Sequence, residues 1–287
     1  MQTYQIKNHK MTLTVAEHGA EIRSVEVDGM ERMWDANPTF WGRTAPILFP
    51  IVGALKDNSY QYEGETYSMS QHGFARDMEF TLTEQTEESL QFVLSDNSET
   101  YENYPFHFQL TVAYEIFEST INIGWKVLNT DEKKMYFQIG GHPAFACPCE
   151  GGMIRDDYSI KVGELPFLET AFLEKGLLGE EKELLANELL LKEDTFARDA
   201  YIIQNETVGH VDLVNHVSNQ VKVRVLADVP VWGIWSTADK KAPFVCIEPW
   251  YGRCDKTDFS GELSEREYIQ SLEPGETFTG GYQIEFM

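Results

Sequence analysis

The chain has 287 residues, a formal net charge of −24, and 42% hydrophobic and 13% aromatic residues. That supplies a large core, and so acidic a surface repels the phosphates of nucleic acids and of anionic membranes. The longest apolar run, APILFPIVGAL at 45–55, is too short to cross a bilayer and holds two prolines.

The N-terminal MQTYQIKNHK has no apolar stretch of the kind a signal peptide needs. With four cysteines (147, 149, 246 and 254) in no zinc-ribbon spacing, the expectation is a cytoplasmic protein with reduced thiols. In chain order, period-two alternation appears first at Met11-Leu13-Val15 and then at Leu90-Phe92-Leu94. It is longest at 106–116, where Phe106, Phe108, Leu110, Val112, Tyr114 and Ile116 alternate with mostly polar residues. After the polar link FEST the odd positions Ile121, Ile123, Trp125 and Val127 take over, which predicts a hairpin. Residues 179–192, GEEKELLANELLLK, read as the one helix, inside an acidic stretch 163–195 expected to be an insertion loop or a solvated face. Val221-Val223-Val225 and Tyr282-Ile284-Phe286 close the chain with further strands. No linker or repeat interrupts it, so the expectation is one all-β domain over 1–287, antiparallel, with two large sheets face to face.

Four stretches carry groups suited to chemistry. FWGRTAPILFP places Arg43 after two aromatics, where its planar fork suits oxygen recognition or a stack on Trp41. SQHGFARD offers His72 and Arg76, as cleft residues or as a loop histidine and a structural ion pair. YFQIGGHPAFACP puts Tyr136, Gln138, Gly140 and His142 on one strand face, with Phe137 and Ile139 on the other. His142 then either caps the strand end or works as an acid–base group. In APFVCIEPWYG, Phe244, Cys246 and Glu248 share a face. A carboxylate on an apolar strand costs several kcal/mol unless exposed or paired, so Glu248 belongs at a rim or in a site. There is no GxSxG elbow, no HExxH or close His/Cys cluster for a metal, and no glycine-rich phosphate loop.

Together, HGFAR (72–76), GGHPAF (140–145) and IEPW (247–250), with LEPGET (272–277) before the last strand, resemble the aldose 1-epimerase (galactose mutarotase-like) family over essentially the whole chain. Within it the chain is most similar to the LacX-like branch. The resemblance implies a β-supersandwich with an open cleft, and neither cofactor nor metal for the chemistry. It implies Glu248 as catalytic base, His142 as catalytic acid, His72 as a second cleft histidine and Arg43 as a sugar-binding arginine. Asp199, in FARDAYII, is the best match to the family's hydroxyl-binding aspartate. Gln138 on the His142 face, and one of Trp41, Trp232, Trp235 and Trp250, with Trp232 the choice, complete the expected sugar contacts. HGFAR departs from the His-Gly-Gly context of classical galactose mutarotases and is shared with hexose-6-phosphate epimerases, so Arg76 leaves a phosphorylated substrate open. The expected partner is a small sugar, the expected assembly a monomer or homodimer.

Anomer exchange opens and recloses a hemiacetal, which needs one proton acceptor and one donor flanking the sugar. A silent carbohydrate-binding protein on the same scaffold could dispense with that pair. A glycosidase needs two carboxylates, and the sequence offers one strong candidate.

Overall fold

A computed structural model describes residues 1–164, 166–238 and 242–287. Strands dominate from Thr3–Lys7 to Thr277–Phe286. The predicted hairpin forms between Phe108–Phe117 and Thr120–Asn129, with Phe117 opposite Thr120 and Glu118 at φ 53° in the turn. Its first strand alternates buried and more exposed residues as the sequence does. The hairpin lies inside a nine-stranded antiparallel sheet that also holds Ser89–Ser95, Gln220–Leu226 and Thr277–Phe286.

A second large sheet runs in the order Leu177–Ala186, Phe167–Glu174, Tyr201–Gln204, Val231–Trp235, Phe244–Tyr251, Ile139–Gly141, Ile47–Leu48, with Ala144–Ala146 also paired to Phe244–Tyr251. Aromatic contacts join the two sheets: Phe145 meets Phe286 with ring centres 6.2 Å apart, and Phe49, next to the edge strand, meets Phe108 at 5.1 Å. One buried apolar cluster draws on residues from Ile6 to Phe286. A four-stranded sheet at the N-terminus adds Met11–Ala16 and its neighbours to that cluster.

The helix expected at 179–192 is not there. Leu177–Ala186 is a strand paired with Phe167–Glu174, and Glu188–Leu190 pairs with Tyr158–Val162. The leucines cluster instead of recurring at helical spacing, and a ladder with Lys182 on Glu169 (2.6 Å) and Arg198 on Glu183 (2.7 Å) overrides the helix propensity of Glu, Lys and Leu. The one α-helix among the described residues is Ser98–Asn103, capped by Asn97, whose side chain accepts from the amides of Glu99 and Thr100.

Candidate active site

The strand Phe244–Tyr251 sits between two partners in the second sheet and is buried along nearly its whole length. Alternation splits its residues. Val245 and Ile247 enter the main core, while Phe244 and Cys246 turn the other way toward Trp34 and Ala144, with Glu248 and Trp250 following on that face. Glu248 lies opposite Gly233, and Gly140 opposite Trp250. Both glycines are needed. A Cβ at Gly140 would stand 2.6 Å from Cδ1 of Trp250, and one at Gly233 2.7 Å from its six-membered ring. The gap that the sequence leaves beside His142 is therefore filled by the Trp250 indole.

Above this face lies a pocket of about 320 Å³, within the size range of small-ligand sites, lined by His72, Arg76, His142, Asp199, Trp235, Glu248 and Trp250 among others. His142 and Glu248, 106 positions apart in sequence, approach to 3.2 Å between Nε2 and Oε2. They were expected on opposite sides of the sugar; the structure sets them side by side. The imidazole is held by rings, stacked on Trp41 at 4.7 Å and 28° and edge-on to Trp235 at 5.7 Å. Among the described residues, neither Nδ1 of His142 nor Oε2 of Glu248 has a hydrogen-bond partner.

Burial penalises charge on both groups. It lifts the Glu248 carboxyl well above the usual carboxylate range, and the negative charge of Asp199 adds to the shift. It pushes His142 down to about 3, with the charges of Arg76 and Arg43 acting in the same direction. Burial thus favours the uncharged form of each group.

His72 stands on a sharp turn, at φ 67°. Its neighbour Gly73 packs so tightly that a Cβ would lie 2.2 Å from the Phe49 carbonyl oxygen. The Gly53 amide donates to Nδ1 of His72 at 3.1 Å, which leaves Nε2 as the ring's N–H donor. Burial, then His142, Arg76 and Arg43, hold its pKa well below 6.5, so the ring is neutral. Arg76 donates from one terminal nitrogen to the Gln71 carbonyl at 2.6 Å, and its buried Nε lies 3.7 Å from Oδ2 of Asp77, with no hydrogen-bond partner among the described residues. Burial lowers its pKa to about 10, and nearby Arg43 adds to this.

Three expected contacts do not reach the pocket wall. Arg43 is turned to Asp77, donating to Oδ1 at 2.7 Å, and Trp41 stacks on His142 instead of on Arg43. Gln138 is fully buried, accepting from the Val52 amide and from Arg266, both at 3.1 Å. The extended run 136–142 breaks there: Met135–Phe137 pairs with Gln270–Leu272, whereas Ile139–Gly141 pairs with the second sheet. Trp232 is fully buried in the main core, its indole N–H donated to the Val208 carbonyl at 3.0 Å. Trp235, three positions on and so on the other face of the strand, lines the pocket, as do Trp41 and Trp250.

Sequence reading also missed Leu173 and Gly176, which line the pocket from a stretch expected to be an insertion loop or a solvated face. It missed as well that His142, Cys246 and Glu248 bring their ligand atoms within 4.8 Å of one another, because 104 residues separate the histidine from the cysteine. A second cavity of about 560 Å³ beside that hairpin is lined by ion-paired side chains, Lys182 with Glu169 and Lys256 with Glu267, and no member of the buried His142–Glu248 pair opens on it.

An all-β frame of large antiparallel sheets is the fold of galactose mutarotase-like proteins. The family model for aldose 1-epimerase matches residues 2–285, and the chain belongs to that family. It is 32% identical over 295 residues to the chromosomal protein LacX of Lactococcus lactis subsp. lactis, covering 98% of each chain. A galactose mutarotase related enzyme from Lactobacillus acidophilus superposes with a TM-score of 0.95 at 36% identity, covering 100% of this chain and 97% of that one. A galactose mutarotase-like protein from Lactobacillus casei superposes at 0.92 with 29% identity, covering 100% of both.

Proposed function

We propose that the protein is a cofactor-independent aldose 1-epimerase that interconverts the α and β anomers of a hexose such as galactose or glucose, with Glu248 and His142 moving the protons. The observation that carries this reading is the pair itself, 3.2 Å apart and buried at the wall of a sugar-sized pocket. In an aldopyranose both reacting oxygens, the C1 hydroxyl and the ring oxygen, are bonded to the same carbon. A donor and an acceptor therefore serve best close together. The Glu248 carboxylate takes the hydroxyl proton, the His142 imidazolium protonates the ring oxygen, and the bond from C1 to the ring oxygen breaks as the aldehyde forms. Rotation about C1–C2 and the reverse transfers close the ring on the other face.

Carboxylate with imidazolium, and carboxylic acid with neutral imidazole, hold the same number of protons. The first precedes ring opening and the second follows it. One proton moved from Glu248 to His142, whose Nε2 lies 3.2 Å from Oε2, interconverts them. Burial favours the neutral form, which is the state the pair occupies once the ring is open. The His72 Nε2–H and the Asp199 carboxylate are suited to sugar hydroxyls, and Trp235 and Trp250 to the apolar face of the ring.

The guanidinium of Arg76 at the pocket wall favours a second reading, in which the hexose carries a 6-phosphate. Polarimetry or anomer-resolved NMR on fresh α-D-glucose, α-D-galactose and their 6-phosphates tests both. Acceleration of at least one sugar is expected. If none of the four relaxes faster, the chain is a carbohydrate-binding protein on this scaffold. Arg76→Ala is expected to spare neutral sugars and to slow phosphorylated ones; equal losses on both would make Arg76 structural.

A further inference from the structure

The His142–Glu248 pair has a third neighbour that proton transfer leaves idle. Cys246 precedes Glu248 by two residues on the same strand face, and its thiol is free and fully buried. An imidazole nitrogen, the thiol sulfur and a carboxylate oxygen lie within 4.8 Å of one another, the nitrogen and oxygen at 3.2 Å. Oε2 of Glu248 is buried and has no hydrogen-bond partner among the described residues. Behind the group stands an apolar wall of Trp34, Ala144 and Phe244.

We propose that His142, Cys246 and Glu248 form a binding site for a thiophilic divalent cation, zinc or cadmium, and that the bound cation shuts the site by taking the lone pairs that proton transfer uses. One sulfur, one nitrogen and one oxygen suit such borderline-soft ions and not magnesium or calcium, which take oxygen ligands. With metal–nitrogen and metal–oxygen bonds of about 2.0–2.2 Å, a tetrahedral edge is roughly 3.3 Å, close to the observed nitrogen–oxygen separation. Ligation requires the sulfur to move in from the observed spacing of up to 4.8 Å. The fourth position opens on the pocket, where a water or a sugar hydroxyl completes the shell. Binding releases the thiol proton, and the carboxyl proton when present, to solvent, and no electron moves. Thiolate and carboxylate together balance the cation's charge. Asp199 adds to the attraction from the same pocket, and Arg76 opposes it.

Inhibition rests on the mutarotase reading; metal binding does not, so the two are measured separately. The metal-free full-length protein is titrated with zinc chloride by calorimetry and with cobalt chloride by absorption. One equivalent is expected to bind, with a thiolate-to-cobalt charge-transfer band. Zinc should suppress anomer exchange, EDTA should restore it, and magnesium should do neither. Cys246→Ser should keep basal turnover, lose the cobalt band and bind zinc more weakly by on the order of 10–100-fold, the scale on which weakened ligand shells act. His142→Gln, read by binding alone, should alter the cobalt spectrum as well. The site is refuted if wild type shows no thiolate band, or if the band survives unchanged in both variants. A thiolate band in a protein that turns over no sugar would refute the mutarotase reading and leave the site standing.

Discussion

Glu248→Gln separates the chemical role of the carboxyl from its cost to the fold. The amide keeps the shape and removes the proton acceptor. General acid–base groups contribute ~10²–10⁴-fold, so turnover should fall by that factor, about 3–5 kcal/mol of barrier, with sugar affinity largely kept. Stability should move the other way. The Glu248 pKa is raised in the fold by burial first and by Asp199 second. The folded state therefore holds a proton that the unfolded chain releases above about pH 4.3. From there up to the raised folded pKa, stability falls as pH rises, by about 1.4 kcal/mol per unit for a single group. Glutamine has no such slope. The variant should match wild type in acid and exceed it increasingly toward neutral pH. Urea denaturation of both proteins across that range, with anomer exchange measured by NMR, supplies the data. A stability difference that does not change with pH would mean that the carboxyl is ionised in the resting fold, and the neutral-pair argument would fail.

The His142 pKa, lowered to about 3 by burial, predicts a free-enzyme kcat/KM that stays level between about pH 5 and 8. Loss of activity with a midpoint near His142's ordinary value of 6.5 would contradict that. The same shift makes the fold lose stability as pH drops from about 6.5, where the unfolded histidine begins to bind a proton, toward the folded value. Trp41→Ala removes the ring stacked on His142 at 4.7 Å, and should cost ~0.5–1.5 kcal/mol, a two- to tenfold loss read mainly in kcat. An unchanged kcat would show that the stack does not orient the imidazole. Gly140→Ala places a methyl 2.6 Å from Cδ1 of Trp250, and should destabilise by ~1–3 kcal/mol while shifting Trp250 fluorescence. A neutral effect on both would mean that the indole is free to move.

What was legible in the sequence was what period-two alternation encodes. The strands Met11–Ala16, Ser89–Ser95 and Phe108–Phe117 bury the residues their patterns select, because each has one face on the core. His142 and Glu248 stood out for a related reason: glycine and proline on one side, and a carboxyl on an otherwise apolar strand on the other, make poor structural choices. The failures fall where local pattern does not determine the partner. Residues 179–192 have helix-forming side chains, and only pairing with Phe167–Glu174 makes them a strand. Gln138 reads as a cleft residue until the chain changes partners beneath it. Trp232 and Trp235 are recognisably on opposite faces, yet nothing local says which face is core. Cross-strand register decides: residues directly opposite share a face, so Gly233 opposite Glu248 and Trp235 opposite Cys246 go to the pocket, while Trp232 goes to the interior.

That register also explains how the fold tolerates its own site. A carboxyl in the middle of a buried strand is costly if charged, and here no arginine or lysine is ion-paired with it among the described residues. The cost is relieved by keeping the proton on the pair, and a conserved proton count is also what a reversible hemiacetal opening requires. Burial therefore acts as part of the catalyst. It favours the proton distribution that the proposed ring opening leaves behind, a carboxylic acid beside a neutral imidazole. A charged partner for Glu248 would stabilise the fold at neutral pH and would weaken it as a base. Introducing a cation beside it at Asp199, as Asp199→Lys, should accordingly lower its pKa, raise stability above about pH 5 and slow anomer exchange at every sugar concentration. If stability and rate rose together, a cation beside Glu248 would not weaken it as a base.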